Sequence, residues 1–80
     1  MAKAGAALKQ VLEAYGISQN KLATIMRISH SNVHRWINGA ADPLGDSILE
    51  IRNALEKIEM GAGEAFIRFY LETLPEERTE

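Results

Sequence analysis

The sequence predicts an all-α fold. Apolar residues recur at three- and four-residue intervals along almost the whole chain. No stretch alternates apolar and polar residues as a half-buried strand does. Glycine, proline and serine fall where helices should begin and end, at Gly16, Ser18, Ser29, Gly39, Pro43, Ser47, Gly61 and Pro75.

The first helix carries Leu8, Val11, Leu12 and Tyr15 as one stripe, and Gly16 closes it in a left-handed cap. Ser18 caps a second helix, with Ile17 placed to staple onto Leu22 four residues into it. Leu22, Ala23 and Met26 form its inner face. Ser29 repeats the device, with Ile28 before it and Val33 after, and Val33, Trp36 and Ile37 form the third inner face. Asn38-Gly39 ends that helix, because both residues tolerate positive φ. Ala40 to Gly45 is a loop. Ser47 with Glu50 reads as a capping box for a fourth helix bearing Ile48, Ile51, Leu55 and Ile58, with Asp42 before Pro43 as a rival start. Gly61-Ala62-Gly63 breaks the chain. A fifth helix over residues 64–74 carries Phe66, Ile67, Tyr70, Leu71 and Leu74, and residues 75–80 form an acidic tail.

Eighty residues make one domain, expected to have its core within residues 4–60. A chain this short buries only roughly 60% of its unfolded surface, so it depends on close packing or on a partner subunit. Cysteine is absent, which excludes disulfides and thiolate metal sites. No apolar run approaches the roughly 20 residues of a membrane span, and the first residues lack a signal peptide's apolar core. A cytoplasmic, nucleoid-associated protein of bacterial type is expected. Net charge is −2, but it is unevenly spread. Up to residue 46, Lys3, Lys9, Lys21, Arg27 and Arg35 outweigh Glu13, Asp42 and Asp46 by +2, and the remainder carries −4. An anionic partner should meet the N-terminal half.

The second and third helices lie about three residues apart, which forces a sharp turn between them. The stretch Ile17 to Gly39 resembles the Cro/repressor-type helix-turn-helix family. The resemblance rests on Ser18-Gln19, Leu22-Ala23, Ser29, Val33, Trp36 and Asn38-Gly39, continues through Pro43 and Leu49/Ile51/Leu55, and covers roughly residues 8–58. It implies a five-helix, lambda-repressor-like DNA-binding domain with the helix-turn-helix at helices 2 and 3. One departure is Arg27, where the family usually has glycine at the turn. A non-glycine residue there carries a steric cost if its φ is positive.

A recognition helix needs a polar face of some reach opposite an apolar one. His30, Ser31, His34 and Arg35 form i, i+4 pairs pointing away from Val33 and Ile37. A helix fits the major groove, where its N-terminal residues meet base edges. The resemblance places His30, Ser31 and Arg35 at base-reading positions, and a recognition helix over about Ser29–Asn38 follows. Arg35 could pair with guanine, or it could be a solvated charge. His30 could be an exposed residue of the cap turn, and His34 could pack on a neighbour. Gln19 sits where free helix-start amides suit a phosphate, and by resemblance its side chain contacts the DNA backbone and braces helix 3. Asn38 matches a phosphate-contacting position, or is a plain turn residue. Asn32 and Lys21 are further phosphate candidates, and Lys21 could be merely solubilising. Trp36 belongs to the core.

His30 and His34 have the spacing of a helical metal pair, but no third ligand accompanies them. No metal, no cofactor and no enzymatic activity are expected. Phe66, Phe69, Tyr70 and Leu74 offer more apolar surface than one helix face hides, which points to a homodimer interface. A two-fold dimer would match paired half-sites on duplex DNA. The expected function is a sequence-specific transcriptional regulator. The competing one is a protein-interaction module, an antitoxin or adaptor, suggested by the acidic C-terminal half.

Overall fold

The structure, a computed structural model, describes residues 3–72. The five helices are α1 (Lys3–Tyr15), α2 (Gln19–Met26), α3 (His30–Ile37), α4 (Gly45–Ile58) and α5 (Ala62–Glu72), and no strand occurs among the described residues. Helix α1 packs on α5 and α3, α4 packs on α5 and α2, and α2 packs on α3. One apolar cluster joins all five. Its centre is Leu8, Val11, Leu22, Val33, Ile51, Leu55 and Phe66, all fully buried. Each such burial is worth about 1.5–3 kcal/mol. No polar side chain is fully buried among the described residues, so this core needs no internal polar network.

The corners follow from the sequence punctuation. Gly16 adopts φ 65, and the Ile17 N–H donates to the Leu12 carbonyl at 2.9 Å, closing α1 in a Schellman turn. Tyr15, expected in the buried stripe, is instead 39% exposed at the last residue of α1. Helix α4 starts earlier than the Ser47 capping box suggested. Leu44 is its extended N-cap, with no side-chain cap, and the Ile48 N–H donates to the Leu44 carbonyl at 3.0 Å. Proline disfavours helical φ/ψ at Asp42 before it, and the chain turns helical two residues after Pro43, with Asp46 in the first turn to complement the helix dipole. Leu49 is 60% exposed, whereas Ile51 and Leu55 are buried, so only the latter two act as core.

The α4–α5 corner also differs from expectation. The break spans Glu59, extended at φ −149, to Gly61, left-handed at φ 92, while Ala62 and Gly63 are already helical and buried. The Glu56 carboxylate, in the last turn of α4, caps α5. Its Oε1 accepts from Gly61 N–H at 3.2 Å, and its Oε2 accepts from Gly63 at 3.1 Å and Glu64 at 3.2 Å. Those bonds, the Gly61 one foremost and then the Glu64 one, hold its carboxyl below the usual carboxylate value. Gly63 is required for a different reason: a β-carbon there would collide with the Arg52 carbonyl and come within 2.6 Å of Glu56 Cγ. Leu74 and the acidic tail lie outside the described residues.

Two outcomes follow from this corner. Gly63→Ala should destabilise the fold by about 1–3 kcal/mol, since a backbone oxygen cannot step aside; an unchanged melting temperature would refute the close α4–α5 approach. Glu56 contributes stability that is complete above the ordinary carboxyl value and is lost as pH falls through its lowered folded value. In urea titrations, Glu56→Gln should therefore be less stable than the parent at neutral pH, and the gap should close on acidification. A gap independent of pH would exclude the capping role.

Candidate nucleic-acid interface

Helices α2 and α3 are built alike. The Ser18 hydroxyl accepts from Lys21 N–H at 3.0 Å, and the Ser29 hydroxyl accepts from Asn32 N–H at 3.3 Å. Each satisfies one of the free amides at its helix start. Ile17 and Leu22 are both buried, and Ile28 packs half-buried against the core beside Val33. The staples predicted from the sequence thus lie on the side that faces inward. Between α2 and α3, Ala23 and Val33 are 3% and 0% exposed, a small and a medium side chain where the helices meet.

The turn between them keeps the left-handed form despite the missing glycine. Arg27 has φ 61 and ψ 41. Its N–H donates to the Thr24 carbonyl at 3.2 Å, and the Ile28 N–H donates to the Ala23 carbonyl at 3.1 Å. This is a complete Schellman closure made by a residue with a β-carbon. The arginine side chain points to solvent, so the conformation costs strain without burying anything.

On α3 the outer face is free. His30, Ser31, Asn32, His34, Arg35 and Asn38 are all exposed, while Val33 is sealed and Trp36 and Ile37 pack half-buried on the core. The Arg35 guanidinium makes no hydrogen bond or ion pair with any described residue. Ser31 shares a 3.0 Å hydroxyl contact with Ser29 and retains further bonding capacity. The His30 and His34 rings stack with centroids 6.5 Å apart and planes 24° apart. Asn38 Nδ2 lies 2.8 Å from His34 Nε2. From Ala14 to Ala41 the chain carries Lys21, Arg27 and Arg35 and no acidic residue, so the charges that α2 and α3 themselves bring are all positive.

Two expectations change. Gln19 was expected to brace α3, but its side chain makes no such bond; it is half-buried and its Oε1 is enclosed without a partner. The helix pair is held instead by apolar packing and by the Arg27 turn. Phe66, expected at a dimer interface, is fully buried within its own subunit and stacks on Tyr70 with ring centroids 6.4 Å apart. Sequence periodicity marks Phe66 as apolar-facing, and only the packing of α5 on α1 decides that the covering surface is internal. Phe69 and Tyr70 are half-buried, and Leu71 is 58% exposed. Sequence reading gave no role to Glu56 and assigned Gly63 only to the chain break, and neither position alone signals the close approach of α4 and α5.

The family model for helix-turn-helix proteins matches residues 8–61. No curated protein and no solved structure matches the chain closely enough to add a comparison.

Left-handed strain at the turn yields a measurable expectation. An L-residue there costs roughly 1–2 kcal/mol, and glycine returns about 0.4–1 kcal/mol of that through its freer unfolded chain. Arg27→Gly should therefore raise stability by about 0.5–1 kcal/mol in chemical denaturation. A loss of stability would mean that the arginine side chain contributes more than the turn costs.

Proposed function

The chain belongs to the Cro/repressor-type helix-turn-helix family, a family of DNA-binding domains, and on that premise we propose that it is a sequence-specific regulator that reads duplex DNA with α3. The single observation that carries the reading is the polar face of α3: base-length side chains, exposed together, on a helix whose opposite face is sealed by Val33. A cylinder of that kind fits the major groove. Arg35, unpaired and exposed, is the guanine reader, and His30, Ser31 and His34 meet neighbouring base edges. Lys21 and Asn32 flank the groove and, with the amides at the start of α2 beside Gln19, meet phosphates. The acid-free segment that forms α2 and α3 supports this placement despite the chain's net negative charge.

A single eight-residue reader spans only a few base pairs, so paired half-sites suit it. The half-buried Phe69 and Tyr70 together with exposed Leu71 on α5 support a second copy of the chain as the partner. Among the described residues no helix is long and apolar enough to cross a membrane.

Selection of bound duplexes from a random pool tests the reading. The expected result is enrichment of related half-sites about 10–10.5 base pairs apart, bound by a retarded complex that weakens steeply with salt. Arg35→Ala should lower affinity for the selected site about ten- to a hundredfold and relax preference at one guanine. A pool that shows no enrichment, or a selected site indifferent to Arg35→Ala, would overturn the assignment.

A further inference from the structure

We infer that Asn38 is a positioning residue for His34, whose amide sets which ring nitrogen of that histidine carries the proton and so which base edges α3 accepts. The inference rests on the DNA-reading role proposed for α3. Asn38 Nδ2 lies 2.8 Å from His34 Nε2, one helical turn away. An amide nitrogen has only hydrogens to give. The contact is therefore a hydrogen bond when Nε2 offers its lone pair, which places the neutral ring's proton on Nδ1. On its other side the ring stacks on His30 at 6.5 Å. The imidazole is held from two directions although it is exposed.

The backbone frees Asn38 for this task. Asparagine followed by glycine suggests a residue chosen for positive φ, but Asn38 has φ −82 and ψ −1, and Gly39 alone takes the left-handed place at φ 81. Asn38 N–H donates to the His34 carbonyl at 2.9 Å, a bond that any residue would make. The turn therefore does not need the asparagine side chain, and the side chain is spent on the histidine rather than on the cap.

The chemical consequence is specific. A neutral His34 held this way presents Nδ1–H as a donor and has no free acceptor. Guanine N7 and O6, adenine N7 and thymine O4 accept from it, whereas the cytosine amino group cannot be bonded. Cytosine is the excluded base at the position His34 reads. A phosphate contact by Asn38 would act otherwise: its loss would weaken all sequences alike and lower the salt slope by about one.

Two measurements on the full chain decide this. In the absence of DNA, long-range nitrogen–proton spectra at about pH 8 should show the Nδ1–H form at His34, and Asn38→Ala should return that ring to a mixed population. An identical pattern in both proteins would overturn the positioning role. In duplex selection, Asn38→Ala should reduce discrimination against cytosine at one base pair about three- to tenfold, the worth of one neutral hydrogen bond, with the salt slope unchanged. The same substitution should do nothing further in a His34→Ala background. A uniform loss of affinity with a shallower salt slope, in either background, would make Asn38 a phosphate contact and overturn the inference. If the parent protein enriches no duplex, the DNA reading itself fails, and the spectra still decide whether Asn38 holds His34.

Discussion

Eight residues are too few for a helix to keep its shape in water, so everything α3 can present depends on how it is docked. Only Val33 of that helix is fully buried. It joins the same buried cluster as Leu22 and Ala23 of α2, on which α3 packs, and Trp36 and Ile37 pack partly buried against that cluster. One buried side chain and two half-buried ones orient the helix about its own axis. With that axis set, the residues on the opposite side, Ser31, Arg35 and Asn38, cannot do other than form an exposed row, with His30 and His34 on its flank. The polar face is thus a by-product of where Val33 goes.

The corners supply the rest of the rigidity with few residues. Helices α1, α2 and α3 all close on a left-handed residue, at Gly16, Arg27 and Gly39, and in each case the next N–H reaches back five residues, from Ile17, Ile28 and Ala40. Ile17 and Ile28 act twice. Their amides finish the helix behind them, and their side chains pack inward toward the helix ahead. A corner made this way has little freedom to open, which fixes the angle between the two helices. That Arg27 takes the same conformation as the two glycines indicates that the geometry of the pair outweighs a local steric penalty.

The other end of the molecule uses a tighter device. Glu56 gives its carboxylate to three amides of the α5 start, and Gly63 lets α5 approach the Arg52 carbonyl. Helix α5 then lies across α1 and places Phe66 in the centre of the core. This makes α5 part of the domain itself, and what it leaves outside is Leu71, with Phe69 and Tyr70 half-buried.

Helix existence, the two serine caps, both staples and the exposed polar face of α3 could be taken from the chain itself, because each depends on residues no more than four apart, where helical spacing makes neighbours known in advance. The family resemblance pointed to the same pair of helices. Where an outcome depended on two distant segments, local pattern was silent or misleading. Ser47 has the form of a cap, yet the segment after Pro43 starts its helix earlier. Phe66 has the form of a surplus aromatic, yet α1 covers it. Gln19 has the form of a brace, yet its oxygen is enclosed without a partner. Glu56 carries no local signature and Gly63 has only the form of a chain breaker, since the importance of both lies in a helix crossing. Short-range hydrogen bonds and periodic burial are written in the order of residues; which apolar surface covers which, and how closely two helices approach, exists only once the chain has folded back on itself.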